Sequence, residues 1–255
     1  MKPLSSDFLP PGPPFAVRDI PVVSVSLADV AATIVSCTRC ERLRDYCSRV
    51  SQEKKRAHRD DLYWGRPVPG FGDPHAQVLL VGLAPAAHGA NRTGRVFTGD
   101  GPGGSADFLM AGLHRTGFAN QPTSQSREDG LELSNVFISM AVRCAPPDNK
   151  PLPEEITRCL DHFDAETACL SQVRVVVGLG KIGFDAWLRL CRRRGAPVSP
   201  RPVFGHGEEV SCGQTQTLIG SYHPSRQNTN TGKLTPQMLD EVLRRARKLA
   251  SVARR

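Results

Sequence analysis

The sequence predicts an α/β fold built on a buried parallel sheet, on three observations. Apolar runs of strand length recur along the chain, each run is continuous rather than alternating, and helical segments stand between them. Strands buried on both faces read this way, joined by right-handed crossovers through helices. The runs are Gln77 to Leu83, Val136 to Val142, Val173 to Leu179 and Thr215 to Ser221, each closed by a glycine, polar or proline-rich turn. Helices are predicted over Ser105 to Thr116, over Pro153 to Leu170 and over Ile182 to about Arg194, with a last one from Pro236 towards Arg255. Pro153, Glu154 and Glu155 make a proline-plus-acid first turn, a helix-start signal. Upstream, LADVAATIVSCTRCERLRDYC reads as a helix running into a cysteine-bearing turn, and Asn120 to Gly130 as a loop insertion. Residues 1–25 are Pro-rich and aperiodic, so a flexible tail is expected there and a single domain over 26–255. No internal repeat is visible.

Composition ranks the partners. The chain has 255 residues, 39% of them hydrophobic, enough for one continuous core. Lys and Arg number 33 against 25 acids, a net charge of +8 that favours polyanions such as nucleic acid. No segment approaches the ~20 apolar residues of a membrane span, and the N-terminus has no signal-peptide run, so a cytoplasmic protein is expected. In a reducing compartment eight cysteines point to metal or redox chemistry rather than to disulfides. Cys37 and Cys40 form a C-x-x-C pair, and Cys144 and Cys159 bracket CAPPDNKPLPEEITRC. Four soft thiolates suit a tetrahedral zinc or an iron–sulfur cube, and spacing does not choose between them. Buried free cysteines acting as small hydrophobes are the bland alternative, the favoured one for Cys169, Cys191 and Cys212. Cys47 is a possible substitute ligand.

Ligands of open parallel sheets bind at the carboxyl ends of the strands, so the post-strand loops are the place to search. The first, GLAPAAHGANRTGRVFTGDGPGGS, holds Pro85, His88, Asn91, Phe97 and Asp100 among glycines that permit close backbone approach. The fourth, GSYHPSRQNTNTGK, places His223 and Pro224 at the corresponding strand end, followed by small polar residues suited to phosphates. Gly178, Gly180 and Gly183 also spell G-x-G-x-x-G, but after the third strand and with arginines where a dinucleotide site needs an acid.

GLAPAAHGANRTGRVFTGD, the two cysteine pairs with CAPPDNKP, and HPSRQNTNTG together resemble the family 5 enzymes of the uracil-DNA glycosylase superfamily, over roughly residues 27 to 250. The resemblance implies a three-layer α/β/α fold with a four-stranded parallel sheet. It also implies a largely structural [4Fe–4S] cluster on Cys37, Cys40, Cys144 and Cys159; a monomer is expected. The implied reaction is hydrolysis of the N-glycosidic bond of uracil in DNA, leaving an abasic site, with other deaminated bases such as hypoxanthine also accepted. Phe97 matches the aromatic that stacks on the extruded base, and His223 the donor to its O2. Where other members carry a water-orienting aspartate this chain has Ala84, and the role passes to Asp100, the nearest carboxylate of the loop. Met140 stands where relatives read the uracil edge with an asparagine. Ala84, Pro85, Phe97 and Asn135 are therefore expected around the base, and Arg92, Ser225, Arg226 and Gln227 on the DNA, with Gln227 or another residue of RQNTNTG filling the gap left by the flipped base. Arg95, Lys233 and the basic last helix (Arg244, Arg245, Arg247, Lys248) are expected as further phosphate contacts. Two rival readings use fewer of these residues: an iron–sulfur oxidoreductase with a nucleotide cofactor at Gly178, Gly180 and Gly183, and a noncatalytic DNA-binding protein.

Overall fold

A computed structural model of the protein describes residues 25–213 and 216–251; the expectations for the tail before Val25, for Thr215 and for the last four residues lie outside them. Among the described residues six strands form one sheet: β1 (Phe71–Gly72), β2 (Val78–Gly82), β3 (Val136–Met140), β4 (Val175–Leu179), β5 (Glu209–Cys212) and β6 (Gln216–Ser221). Their spatial order is β1-β3-β2-β4-β6-β5. The four expected strands make the parallel centre, with Leu80 level with Ile138 and Val177, and Val177 level with Ile219. β1 and β5 add antiparallel edges. Neither edge carries an apolar run: β1 has two residues, and Glu209 and Ser211 of β5 face solvent.

Eight α-helices occur among the described residues: α1 (Leu27–Val35), α2 (Glu41–Glu53), α3 (Ala90–Thr93), α4 (Ser105–Arg115), α5 (Pro153–Cys169), α6 (Gly180–Arg193), α7 (Arg226–Asn230) and α8 (Pro236–Ser251). Successive strand side chains point to opposite faces, and here each face meets its own helix layer. Val78, Leu80, Ile138, Val175 and Val177 pack with Leu109, Leu113, Leu239 and Leu243 of α4 and α8. Leu79, Val81, Phe137 and Val176 pack with Phe163, Phe184 and Trp187 of α5 and α6. That two-sided burial is why the strands read as unbroken apolar runs.

The glycine triplet after β4 is explained by packing. A Cβ on Gly183 would fall on the carbonyl oxygen of Val81, and one on Gly178 would lie 2.6 Å from Cα of Phe184. These glycines let α6 lie against β2 and β4 at a distance no side chain allows. The segment read as a loop insertion is tied down rather than free: Asp129 accepts from Arg95 at 2.7 Å and Ser124 is fully buried.

Candidate active site

A cavity of about 400 Å³ opens at the carboxyl ends of β2, β3 and β6, where an open α/β sheet binds ligands. The loop after β2 supplies Ala84, Ala86, Phe97 and Asp100 to its lining. β3 ends in it at Met140, and the following loop adds Asp148 and Asn149. The loop after β6 contributes His223, Ser225 and Gln227.

Phe97 and His223 face each other across two of these loops, their ring centroids 6.0 Å apart and tilted by 32°. Phe97 holds φ 46°, uncommon for a bulky residue, and is 5% exposed. Its ring edge approaches so closely that a Cβ on Gly82 would lie 3.1 Å away, so the glycine ending β2 seats the ring. His223 is placed the same way by Gly180, whose φ of 80° and missing side chain leave room for the histidine Cβ. Asn228 Nδ2 donates to the His223 carbonyl at 2.9 Å, and Ser225 caps α7. Burial drives the His223 pKa down to about 4. At neutral pH its imidazole is uncharged, with one ring nitrogen a donor and the other an acceptor.

Asp100 lies between two glycines. A Cβ on Gly89 would fall on its Oδ1, and one on Gly104 would lie 2.5 Å from its own Cβ. The Ala106 amide at the start of α4 donates to Oδ2 at 3.2 Å. Burial raises the carboxyl pKa above the ordinary aspartate value and Asp107 adds to this, while the Ala106 amide, Arg226 and Arg92 pull it down. The result is a part-buried carboxylate kept at the cavity wall and more basic than a surface one. Arg226 reaches back from α7 to the Asp100 and Pro102 carbonyls at 3.4 and 3.2 Å, joining the first and last loops.

Not every expected residue arrives. Asn135 sits at the amino end of β3, the opposite end from the cavity, where its Oδ1 accepts from the Gln77 amide at 2.9 Å and its amide donates to Asp73 at 2.8 Å. It is a strand-start clamp: standing one residue before β3, it lies a strand's length from the carboxyl ends where the cavity opens. Pro85 is buried behind Ala84 and does not line the cavity. Arg95 is 5% exposed and bound to Asp129, and Arg92 donates to Asp61, to Gly99 and to His88. Both guanidiniums brace the loop instead of meeting a phosphate. Arg244 pairs with Asp240, Arg245 with Glu209, and Arg247 caps the Thr116 carbonyl. With Lys248, Arg244 and Arg247 border a hollow at the far end of α4, about 16 Å from Ser105 by helix rise. Arg226, Ser225 and Gln227 remain beside the cavity, while Lys233 lies 5.0 Å over the Tyr222 ring.

Sequence reasoning gave no site role to Asp148 or Asn149. Both take left-handed backbone, φ 52° and 55°, a conformation in which Asp and Asn are several-fold enriched. PPDN between two cysteines carried that turn signal, but only the fold brings the turn over Met140.

The cysteines gather in a third cluster beside this cavity. Cys40, Cys47, Cys144 and Cys159 are each buried and share a core with Leu43, Val142 and Ala145. Cys47 donates to the Ala145 carbonyl at 3.6 Å, next to Cys144 in the chain, and Cys40 and Cys159 lie within electrostatic reach of Cys144. Cys37 is part-exposed, its sulfur accepting from Arg39 Nε at 3.4 Å. Arg44 Nη1 lies 3.9 Å from the Cys144 sulfur. Arg42, on the helix that follows Cys40, clasps Glu155 at 2.7 Å through two nitrogens, holding α2 against the start of α5. Among the described residues no three His, Cys, Asp or Glu side chains converge as ligands of a single metal ion. Four buried sulfurs with a guanidinium beside them are the soft, anionic donor set that an iron–sulfur cluster takes.

Residues 69–247 match the model of the Uracil DNA glycosylase superfamily. The chain is 47% identical over 228 residues to the "Type-5 uracil-DNA glycosylase" of Mycobacterium tuberculosis, covering 89% of this chain and 83% of that protein. Against the "Type-5 uracil-DNA glycosylase" of Thermus thermophilus it is 47% identical over 220 residues, 86% of this chain and 96% of the relative. A "Type-4 uracil-DNA glycosylase" of Pyrobaculum aerophilum is more distant, 28% identical over 164 residues, 64% of this chain and 74% of the relative. The strand-end cavity carrying Phe97, Asp100 and His223 thus sits inside a matched region that spans most of the chain, and the chain belongs to the type-5 branch of the uracil DNA glycosylase superfamily.

Proposed function

We propose that this protein is a monofunctional DNA glycosylase that hydrolyses the N-glycosidic bond of uracil in DNA and leaves an abasic site. The observation that carries the reading is the meeting, in one cavity, of a neutral part-buried imidazole, a part-buried carboxylate and a strained aromatic, supplied by two loops of a type-5 glycosylase fold. A base inside a duplex is unreachable, so the nucleotide must be extruded, at a cost of a few kcal/mol that is smallest for a mispaired base. Phe97 offers the stacking face, and the apolar wall of Ala84 and Met140 closes the pocket without imposing uracil's hydrogen-bond pattern. Asn149 presents an amide to the same space and is the candidate reader of the base edge. Tolerance of hypoxanthine and other deaminated bases follows from this softer pocket.

The C1′–N bond breaks with its electron pair passing to the base, while water oxygen bonds to C1′ and its proton passes to Asp100. Positive charge develops on the sugar and negative charge on the base O2. His223 donates its N–H to that oxygen, a role that requires no protonation of the ring. Asp100 orients the water and faces the cationic sugar. Ser225, Arg226, Gln227 and Lys233 form the strand-holding rim, with Gln227 as the wedge.

A [4Fe–4S] cluster would be held by Cys40, Cys144 and Cys159 with Cys37 or Cys47, and would supply folding energy rather than bond cleavage. The protein acts as a monomer in the cytoplasm in this reading; among the described residues no helix is long and apolar enough to cross a membrane. The deciding experiment is incubation with a labelled uracil-containing oligonucleotide followed by alkali. Breakage at the uracil position supports the glycosylase; intact strands with retained DNA binding would favour the noncatalytic reading.

A further inference from the structure

One feature unexplained by the reaction lies away from the strand ends, on the outer face of α5 and α6. A groove of about 500 Å³ runs between these helices and the segment 197–202. Ile156, Leu160, Leu188 and Val198 form its floor, and Arg189, Arg192, Arg193 and Arg201 its rim, against the single acid Asp185. Arg193 is spent on Asp161 and Asp164, and Arg201 on Asp185. Arg189 and Arg192 are solvent-exposed, and no ion pair among the described residues involves them. An arginine doublet held over an apolar floor is costly to leave as plain surface, because each apolar face in water forgoes about 25 cal/mol per Å².

Exposed large hydrophobics are few among the described residues, and three of the five lie beside this groove. Val25, Leu62, Leu152, Ile182 and Val203 are the ones found among the described residues. Leu152 (40% exposed) precedes Pro153 of the groove, Val203 (85%) follows Pro202, and Ile182 (36%) lies one turn before Asp185 on the same helix face. None of these belongs to the glycosylase cavity or to the cysteine cluster.

We propose that the α5–α6 groove is a docking site for an acidic peptide segment of a partner protein, with apolar side chains entering the floor and carboxylates meeting Arg189 and Arg192. Charge complementarity selects this occupant. The chain's own first 24 residues carry two acids, Asp7 and Asp19, against two bases, Lys2 and Arg18, so they offer no net charge to the rim. DNA offers charge but no flexible apolar side chains for the floor. Guanidiniums pair with carboxylates in two-pronged fashion, and arginine-rimmed apolar pockets are the usual anchors of peptide recognition.

The probe is a fluorescein-labelled peptide of sequence DEDLDEFDD, with a control in which its leucine and phenylalanine are serine, added to the full-length holoprotein and followed by anisotropy. Binding near 10 µM is expected, weakened at least about tenfold in the control peptide and in an Arg189→Glu/Arg192→Glu variant. Both substitutions are on exposed helix positions, so circular dichroism and uracil excision by the variant should match the unsubstituted protein. Leu188→Ser tests the floor separately and should weaken the peptide without altering its salt dependence. Equal binding of the two peptides would reduce the site to ion exchange and overturn the proposal. So would loss of duplex DNA affinity in the double variant, which would make the groove a nucleic-acid contact. A peptide of residues 1–24 competing as well as the acidic probe would assign the groove to the chain's own tail and overturn it too.

Discussion

At the scale of single residues, the site divides labour between two groups whose environments push them to opposite protonation behaviour. Burial raises the Asp100 pKa and lowers that of His223 to about 4, so a carboxylate base and a neutral donor coexist at neutral pH. Asp100→Asn should cut single-turnover uracil excision by about 10²–10⁴ while DNA affinity holds, as for a positioned base. The native protein binds the Asp100 proton more tightly than the unfolded chain, so the ionised aspartate costs stability once pH rises above its native pKa. The same variant should therefore melt no lower than the parent at neutral pH, and a clear loss of Tm would mean that Asp100 is a structural anchor. His223→Ala should cost about 10²–10³ on uracil, as for one lost oxyanion donor, and less on hypoxanthine. Equal losses on both bases in single-turnover assays would remove His223 from O2. The positions of Phe97 and His223 were legible in the sequence because one lies in a glycine-rich loop and the other at the tip of a strand, both at the carboxyl ends of apolar runs. Asn135 misled because it stands at the amino end of its strand, where its partners Gln77 and Asp73 are distant in sequence and only the fold shows the clamp.

Among elements, the join between β3, α5 and the loop before β1 is the most exacting. Arg143 and Glu166, 1% and 2% exposed, pair at 2.9 Å beneath the cysteine cluster. Ser139 donates to Glu166 at 2.5 Å and the Gly70 amide at 2.8 Å. A charge buried this deeply is tolerable only while it is paired. Glu166→Gln should destabilise the fold by about 3–5 kcal/mol, measured by urea unfolding, whereas the exposed Arg49–Glu53 pair should contribute under about 1 kcal/mol. A Glu166→Gln protein of unchanged stability would mean that the arginine is neutralised elsewhere. The sequence shows α5 through its proline-plus-acid start, but nothing in the spacing of Arg143 and Glu166 shows that they face each other. Their pairing is a product of the crossover from β3 to α5.

For the whole molecule, two expected outcomes concern how chemistry supports the fold. Anaerobically purified protein should carry about four irons per chain. Cys144→Ser should lose iron and soluble yield together, because cluster binding is folding energy. Cys37→Ser and Cys47→Ser decide the fourth ligand: the one that empties the site by metal analysis is the ligand, and stoichiometric zinc with no iron in the parent would refute the cluster. Acid stability follows from His162 and His223, each lowered to about 4, chiefly by burial. Between about 6.5 and 4 the unfolded chain binds these protons and the native protein does not. Stability should therefore fall as pH drops through that window and level off below it. Thermal melts of His162→Gln should show a shallower fall, and an identical slope would exclude His162.

Local patterning determined the sheet centre, the long helices and the two loops that carry Phe97, Asp100 and His223, because two-sided burial and helix-start chemistry leave marks within a few residues. Tertiary structure decided everything that needs distant residues to meet. It turned Arg92 and Arg95 inward onto Asp61 and Asp129, set Asn149 into the same cavity as Met140, and buried Cys47 in one cluster with Cys40, Cys144 and Cys159. A guanidinium's partner, or the side of a cavity on which an amide lies, depends on how layers stack. Helix crossovers fix that stacking through close contacts such as Gly183 on Val81, and no window of sequence contains both sides of such a contact.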